Sequence, residues 1–155
     1  MSAGLPGVTL GLDAGSVRVG LAATDPTATI ASPVATLPRR DRELWNRVRE
    51  EARVRGAERV VVGLPLRLDG TEGDAAAAAR ALADEASRQT GLPVEMWDER
   101  LSSVAAERAL LESGMRRERR RETIDAVAAA IMLQAWLDAA HRRPGGRRPQ
   151  RRARA

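Results

Sequence analysis

Residues 10–22, LGLDAGSVRVGLA, constrain the fold more than any other stretch of this chain. Extended-type residues run from Val8 into Asp13, Gly15 breaks the run, and apolar residues then alternate with others up to Ala22. The pattern predicts a β-hairpin with a tight Gly-Ser turn and a carboxylate where the first strand ends. Asp is a poor strand former because its short acceptor competes for backbone donors. Asp13 is therefore either a turn residue or a metal ligand.

The composition excludes several classes of site. The 155 residues suit one domain, and the absence of Cys excludes disulfides, thiolate nucleophiles and Cys-ligated zinc. A single histidine, His141, argues against a His-based metal cage or a Ser-His-Asp triad. Aromatic residues are limited to three Trp, which argues against base-stacking platforms. No apolar run reaches the roughly 18 residues of a membrane span and no signal peptide opens the chain, so we predict a cytoplasmic protein without membrane contact.

The net charge of +5 is concentrated at the carboxyl end of the chain. Residues 142–155 hold seven of the 26 basic residues and no acid, so residues 1–141 carry 19 Arg against 21 acids. The last segment also lacks periodicity and contains Pro and Gly breakers. We therefore predict a folded domain over residues 1–141 and a disordered Arg-rich tail over residues 142–155.

The remaining elements follow from hydrophobic periodicity and from Pro and Gly signals. Asp41 is placed to cap a helix ended by Gly56, with Val54 on its apolar side, and a capping box at Thr71 precedes the next helix. The predicted strands after the hairpin are 34–37, 59–64 and 94–97, and the predicted helices are 41–55, 74–89, one from Ser102 or Ser103 to Gly114, and one ending at Ala140. This order predicts an α/β fold: a mixed five-stranded sheet, three antiparallel strands then parallel ones, with helices on both faces.

Further carboxylates follow the last predicted strand and begin the last helix. Asp98 and Glu99 are strand neighbours that point to opposite faces, so only one of them can join a site on one face. Asp125 heads a core-facing helical stripe made of Ala128, Ala129, Met132 and Trp136. A buried carboxylate needs a partner or a cation. Asp125 is thus either a metal ligand or an early-helix acid favoured by the helix dipole or by a nearby Arg.

Acidic oxygen ligands without His or Cys suit a hard cation, Mg²⁺ or Mn²⁺, rather than zinc. In a two-metal carboxylate site, one ion prepares a water nucleophile and the other stabilises the leaving oxygen of a phosphodiester. The spacing of the acids is therefore consistent with a phosphodiester hydrolase.

Four stretches of the chain, taken in order, resemble the motifs of a known family. They are LGLDAGSVRVGLA, VVGLPLRLDGTEG, DERLSS and IDAVAAAIMLQAWL. Together they resemble the YqgF family, bacterial proteins with a ribonuclease-H-like fold known as pre-16S rRNA nucleases and as Holliday junction resolvase-like proteins. The resemblance covers residues 8–140. It implies a metal-dependent endonuclease that processes the 5′ end of pre-16S rRNA in ribosome biogenesis.

The resemblance also implies which residues act. The acids of the family motifs fall on Asp13, Glu99 and Asp125, which would be both catalytic residues and ligands of Mg²⁺ or Mn²⁺. Related junction resolvases carry a fourth carboxylate at the position of Ala128, a departure that bears against junction cleavage. Other residues also match family motif positions: Arg18 matches the basic residue of the hairpin, and Arg100 matches the Arg that follows the acid Glu99. The loop over the sheet edge is matched by Gly63, Pro65 and Thr71.

Basic residues cluster just ahead of the helical acid. The cluster is predicted to hold the nucleic-acid backbone together with Arg18 and Arg100, or else to form a solvated helix face paired with Glu118 and Glu122; its members are Arg116, Arg117, Arg119, Arg120 and Arg121. The predicted partner is nucleic acid, either pre-rRNA or branched DNA, and the predicted state is a monomer or homodimer.

Three other functions compete with pre-rRNA cleavage. The first is a Holliday junction resolvase-like DNA nuclease. The second is a non-catalytic RNA-binding ribosome-assembly factor with the same fold. The third is a phosphate-binding fold of the sugar-kinase and actin type, which shares the D-x-G hairpin but normally needs a second phosphate hairpin and a second domain. This chain contains neither of these, and it has no Walker-type loop.

Overall fold

A computed structural model of the protein describes residues 7–15, 17–101 and 117–142, with the backbone alone for residues 117–123. Within these ranges the chain forms five strands, three α-helices and one 3₁₀ turn. The strands are β1 (Val8–Ala14), β2 (Arg18–Thr24), β3 (Ala31–Pro38), β4 (Ala57–Leu64) and β5 (Val94–Asp98). The helices are α1 (Glu43–Arg55), α2 (Asp74–Thr90) and α3 (Arg117–Arg142), and the 3₁₀ turn is Glu99–Leu101.

The strands form one mixed sheet in the order β3-β2-β1-β4-β5. β1 pairs antiparallel with β2, and β2 pairs antiparallel with β3. β4 lies parallel to β1 and to β5. The carboxyl ends of β1, β4 and β5 therefore meet at one edge of the sheet. The predicted five-stranded α/β architecture is confirmed.

Alternating residues of the central strands face two different cores. On one face, Leu10, Leu12 and Val62 pack against α1 and α2, which contribute Leu44 and Leu82 among others. On the other face, Ala22 and Val61 pack against α3, which contributes Leu133 and Trp136. The alternation predicted for a sheet covered on both sides is thus observed, and it assigns each polar residue at the strand ends to one face.

Three features predicted for individual elements differ in the structure. β3 begins at Ala31 rather than at residue 34, because an edge strand tolerates Pro33. The capping box at Thr71 is absent: its hydroxyl donates to Asp69 Oδ1 at 2.7 Å, and α2 begins after Gly73. Val54, predicted on the apolar side of α1, is 64% exposed.

Of the other α1 signals, the end at Gly56 is confirmed, whereas the N-cap of the helix is Arg42, which makes no side-chain cap hydrogen bond, and not the predicted Asp41. Asp41 Oδ1 accepts a hydrogen bond from the Glu43 backbone N–H at 2.9 Å, and Gly56 ends the helix with φ of 67°. The helix predicted from Ser102 or Ser103 lies outside the described residues, as does the tail beyond Arg142.

The carboxyl-terminal half of α3 is hydrogen-bonded to the segment that joins β2 to β3 and to the start of β3. His141 Nε2 donates to the Ala28 carbonyl at 2.6 Å, and Gln134 Oε1 accepts from the Ala31 N–H at 2.8 Å. The sole histidine is therefore used in packing the helix. Among the described residues, no helix combines the length and apolar character that a membrane crossing requires.

Candidate active site

Asp13 lies near the end of β1 and is only 3% exposed. Its neighbour Leu12 points into the core with α1 and α2, so Asp13 points to the opposite face. Gly11 confirms this assignment, because a Cβ built on it would lie 3.1 Å from Leu133 Cβ of α3. Across the hairpin, Asp13 is paired with Gly20 of β2. The Asp13 carboxylate is therefore buried on the face that α3 covers.

Asp125 lies on α3 directly over the hairpin. A Cβ built on Gly15 would lie 3.1 Å from Asp125 Oδ1, and one built on Gly20 would lie 1.8 Å from the Asp125 carbonyl oxygen. The next residue, Ala126, donates its backbone N–H to Thr36 Oγ1 of β3 at 3.1 Å. Because Gly20 is opposite Asp13, these contacts bring the helical acid to the part of the sheet where β1 ends.

Glu99 follows β5 and opens the 3₁₀ turn. Its carboxylate lies over Gly63 of β4, since a Cβ built there would lie 2.2 Å from Glu99 Oε2. Gly63 follows Val62, which is paired with Leu12, so it lies beside the end of β1 where Asp13 is found. Val61 and Gly63 face α3 by alternation. Glu99 thus reaches the same face as Asp13 and Asp125.

Asp98, the other acid of the pair, is engaged elsewhere. Arg100 Nη2 lies 2.7 Å from Asp98 Oδ2, and the Arg100 Nε and backbone N–H also donate to this carboxylate at 2.9–3.2 Å. These hydrogen bonds from Arg100 hold the pKa of Asp98 below its ordinary value. The structure therefore separates the two acids, as the alternation argument required.

Arg100 also reaches the loop that follows β4. Its Nη1 donates to the Leu68 carbonyl at 3.4 Å. The loop is braced from within, because Arg67 Nη1 donates to Thr71 Oγ1 at 3.2 Å and the Thr71 hydroxyl donates to Asp69. Arg100 thus ties the segment carrying Glu99 to this loop, with part of its guanidinium already occupied. Its predicted contact with nucleic acid stays a prediction.

The remaining predicted basic contacts are only partly described. Arg18 begins β2, is partly buried, and lies two residues before Gly20, so it points to the α3 face. Arg116 and the side chains of Arg117, Arg119, Arg120 and Arg121 lie outside the described residues. The backbone of residues 117–121 forms the start of α3, within about two turns of Asp125.

The donor chemistry of the three acids fits a hard divalent cation. All three offer carboxylate oxygens, the ligands that Mg²⁺ and Mn²⁺ prefer. Gly15 and Gly63 leave the space that the carboxylates of Asp125 and Glu99 occupy. Within the described ranges, no three His, Cys, Asp or Glu side chains are grouped tightly enough to hold a metal ion as they stand.

The sequence does not predict the close approach of Asp125 to Gly20 or of Glu99 to Gly63. Gly20 belongs to the predicted strand alternation and Gly63 to the predicted strand 59–64, although the family resemblance also assigns Gly63 to the loop over the sheet edge; the structure has Gly63 inside β4. A signal was available, since glycine inside a strand often marks a close approach by another backbone or group. The sequence did not indicate which group approaches.

Known proteins resemble this chain over most of its length. A family model described as "RuvX: Holliday junction resolvase" matches residues 7–139. A protein of Kineococcus radiotolerans is 51% identical over 138 residues, which are 86% of this chain and 73% of the relative. A protein of Myxococcus xanthus is 46% identical over 140 residues, 88% of this chain and 90% of the relative. Both are provisionally named pre-16S rRNA nucleases.

Solved structures share the fold. The Thermus thermophilus RuvC structure in complex with a Holliday junction substrate has a TM-score of 0.54 at 17% identity, covering 87% of this chain and 96% of that chain. A second T. thermophilus RuvC structure has a TM-score of 0.50 at 19% identity. The predicted ribonuclease-H-like fold and YqgF resemblance are thereby confirmed. By the match of the family model and the identity of its relatives, the chain belongs to the RuvX/YqgF family of nucleases.

Proposed function

We propose that this protein is a metal-dependent endonuclease that hydrolyses phosphodiester bonds of structured RNA, with the 5′ end of pre-16S rRNA as its substrate. One observation carries the proposal. Asp13, Glu99 and Asp125 come from three separate elements, and all three lie on the α3 face near the carboxyl ends of β1, β4 and β5. Acids far apart in the sequence are thereby placed on one face at one edge of the sheet.

The three carboxylates would hold Mg²⁺ or Mn²⁺. When bound, such a cation supplies positive charge for the reacting phosphodiester and lowers the pKa of an attacking water. The chain's own contribution is to fix the ligands. Asp13 is buried in a paired strand, Asp125 rests on the hairpin, and Glu99 is placed by the turn after β5. Ligands on regular elements are held more accurately than ligands on loops.

Two observations favour RNA over a four-way junction. The two relatives named above carry the name of a pre-16S rRNA nuclease. In addition, Ala128 occupies the position of the fourth acid of junction resolvases, is 1% exposed and packs in the core beneath α3. A carboxylate introduced there would be buried among apolar side chains. Junction cleavage is the second candidate, favoured by the description of the family model and by the likeness to RuvC.

The basic residues would bind the substrate backbone around this centre. Arg18 points to the α3 face, and the arginines at positions 116, 117, 119, 120 and 121 precede Asp125. Phosphate contacts of this kind supply affinity and position without reading sequence. Residues 1–141 would form the nuclease domain, with residues 142–155 as an Arg-rich tail that adds non-specific affinity. The protein would act in the cytoplasm as a monomer or homodimer.

The test compares Asp13→Asn with the wild type on precursor 16S rRNA, single-stranded RNA and four-way DNA junctions, each with Mg²⁺ or Mn²⁺. The variant removes a ligand charge but little volume, so cleavage should fall at least about 100-fold, the scale on which one electrostatic catalytic group acts. Folding and RNA binding should persist. Asp84→Asn, an exposed acid of α2, is the matched control and should keep full activity.

Undiminished cleavage by Asp13→Asn would overturn the assignment of the site. Cleavage of junctions but not of precursor rRNA by the wild type would favour the second candidate. RNA binding without any cleavage by the wild type would identify a non-catalytic assembly factor.

A further inference from the structure

A groove of about 940 Å³ opens beside the β1–β2 turn, on the side of the sheet that carries α1 and α2. Three parts of the chain line it: the β1–β2 turn, which contributes Gly15 and Val17, the segment that joins β3 to α1, and one surface of α2. Trp45, which is almost fully buried, lines it as well. We call this feature the hairpin groove. The predicted active site does not include it.

Among the described residues, three arginines line the hairpin groove, and two of them form no ion pair with a described carboxylate. Arg39 is fixed: its Nη1 lies 3.1 Å from Glu85 Oε1, and its backbone N–H donates to the Val17 carbonyl at 2.9 Å. Arg40 and Arg42 are exposed, and no described carboxylate lies within 4.0 Å of either guanidinium.

The acids of the same groove are already engaged. Glu85 pairs with Arg39, and Asp41 accepts the Glu43 N–H at the start of α1. Counting formal charges, three arginines face two acids along this lining. The described lining is therefore weakly basic, with a net formal charge of +1, and the two arginines that form no ion pair point to an anionic occupant.

The groove also connects to the predicted centre through one residue. Gly15 lines the groove, and the space where its Cβ would lie is 3.1 Å from Asp125 Oδ1. A nucleic-acid strand that lies in the groove and crosses the hairpin turn at Gly15 would therefore reach Asp125 on the opposite face of the sheet. Of the aromatic residues, the groove lining contains Trp45 alone, and burial makes it unsuited to stacking on bases.

We propose that the hairpin groove binds the phosphodiester backbone of the nucleic-acid strand that leads to the active site, with Arg40 and Arg42 contacting its phosphates. This inference rests on the proposed function only in taking nucleic acid as the substrate. The contacts are to the backbone, so they contribute affinity and direction rather than sequence preference. Arg39, held by Glu85 and by the Val17 carbonyl, fixes the segment that carries the two arginines.

The test measures binding, separately from cleavage, across a salt series. The variant Arg40→Gln/Arg42→Gln is compared with the wild type, using a fluorescent single-stranded oligoribonucleotide in EDTA. The slope of log K against log salt is negative, and each lost phosphate contact should reduce its magnitude by about 0.7. The double variant should therefore have a slope about 1.4 smaller in magnitude than that of the wild type. The matched control Arg53→Gln/Arg88→Gln removes the same charge from exposed positions of α1 and α2 outside the groove, and its slope should stay near that of the wild type.

The outcomes separate the two proposals. Circular dichroism first verifies that both double variants are folded, as expected for exposed positions. A wild-type slope in the groove variant, an equal loss in the control, or no RNA binding by the wild type would each overturn the groove assignment, whatever the cleavage assay gives. A reduced slope specific to the groove variant supports it, even if the wild type cleaves none of the substrates and the nuclease proposal fails.

Discussion

The backbone carbonyl of Asp125 lies against Gly20 so closely that a Cβ on that glycine would be 1.8 Å from the carbonyl oxygen. Gly20 is paired with Asp13 in the hairpin. A helix can approach a sheet this closely only where the strand has no side chain. This one contact therefore sets how near the helical acid comes to the acid of β1.

Gly20→Ala should destabilise the protein and lower cleavage together. The new methyl group would collide with backbone rather than with a movable side chain, so α3 has to shift. Overpacking of this kind typically costs about 1–3 kcal/mol. Urea unfolding measures the stability. Gly11→Ala is the control, because its new Cβ would lie 3.1 Å from Leu133 Cβ, a contact that a shift of a few tenths of an ångström relieves, whereas the 1.8 Å contact at Gly20 needs a much larger shift. Equal stability of the two variants would contradict the close approach.

Gly63→Ala should reduce cleavage while leaving stability nearly unchanged. Its Cβ would meet Glu99 Oε2 at 2.2 Å, and that oxygen ends a flexible side chain that can swing away. A displacement of about 1 Å of a catalytic group can cost roughly 100-fold in rate. The control is Gly73→Ala, which would meet the end of the Arg67 side chain at 2.7 Å, away from the acids. Full activity of Gly63→Ala would show that the position of Glu99 does not matter.

Glu99→Gln should lose far more activity than Asp98→Asn. Glu99 reaches the α3 face over Gly63, whereas Asp98 is held by Arg100. The two variants are compared in parallel cleavage assays at saturating substrate, and circular dichroism verifies that both are folded. The reverse order of activities would assign Asp98 as the ligand and overturn the geometry described for β5.

The Asp98–Arg100 pair should make a small contribution to stability that disappears in acid. Hydrogen bonds from Arg100 lower the pKa of Asp98 in the folded protein from an ordinary value of 3.8. A depressed folded pKa stabilises the protein above the unfolded value, and the contribution is lost as pH falls through the folded pKa. Since the Asp98 side chain is 24% exposed, solvent screening limits the contribution to about 0.2–1 kcal/mol.

Urea unfolding of the wild type and Asp98→Asn at several pH values measures this contribution. The gap between them should be full at pH 7 and should shrink below about pH 3.8. Arg100→Ala should show a gap of the same sign and the same pH dependence. A difference in unfolding free energy that grows as the pH falls would contradict a stabilising Asp98–Arg100 ion pair.

Local patterns in the sequence were sufficient to predict the sheet. Alternation of apolar residues in residues 10–22 defined the hairpin, and the short apolar runs before and after α2 defined two further strands, of which the first is buried. The alternation of side-chain direction along a strand also required Asp98 and Glu99 to point to opposite faces of the sheet. These predictions succeed because side-chain direction in a strand depends only on neighbouring residues. The capping box at Thr71 failed because a nearer acceptor, Asp69, takes its hydroxyl.

Tertiary structure alone decided which groups meet. The sequence by itself determined the fold class, the three candidate acids and the family resemblance. It did not determine that Gly20 lies under Asp125, that Gly63 lies under Glu99, or that Arg40 and Arg42 line a groove beside the hairpin turn. The physical reason is that each of these relationships joins separate elements of the chain, and their distances depend on how α3, α1 and α2 pack on the sheet rather than on local periodicity.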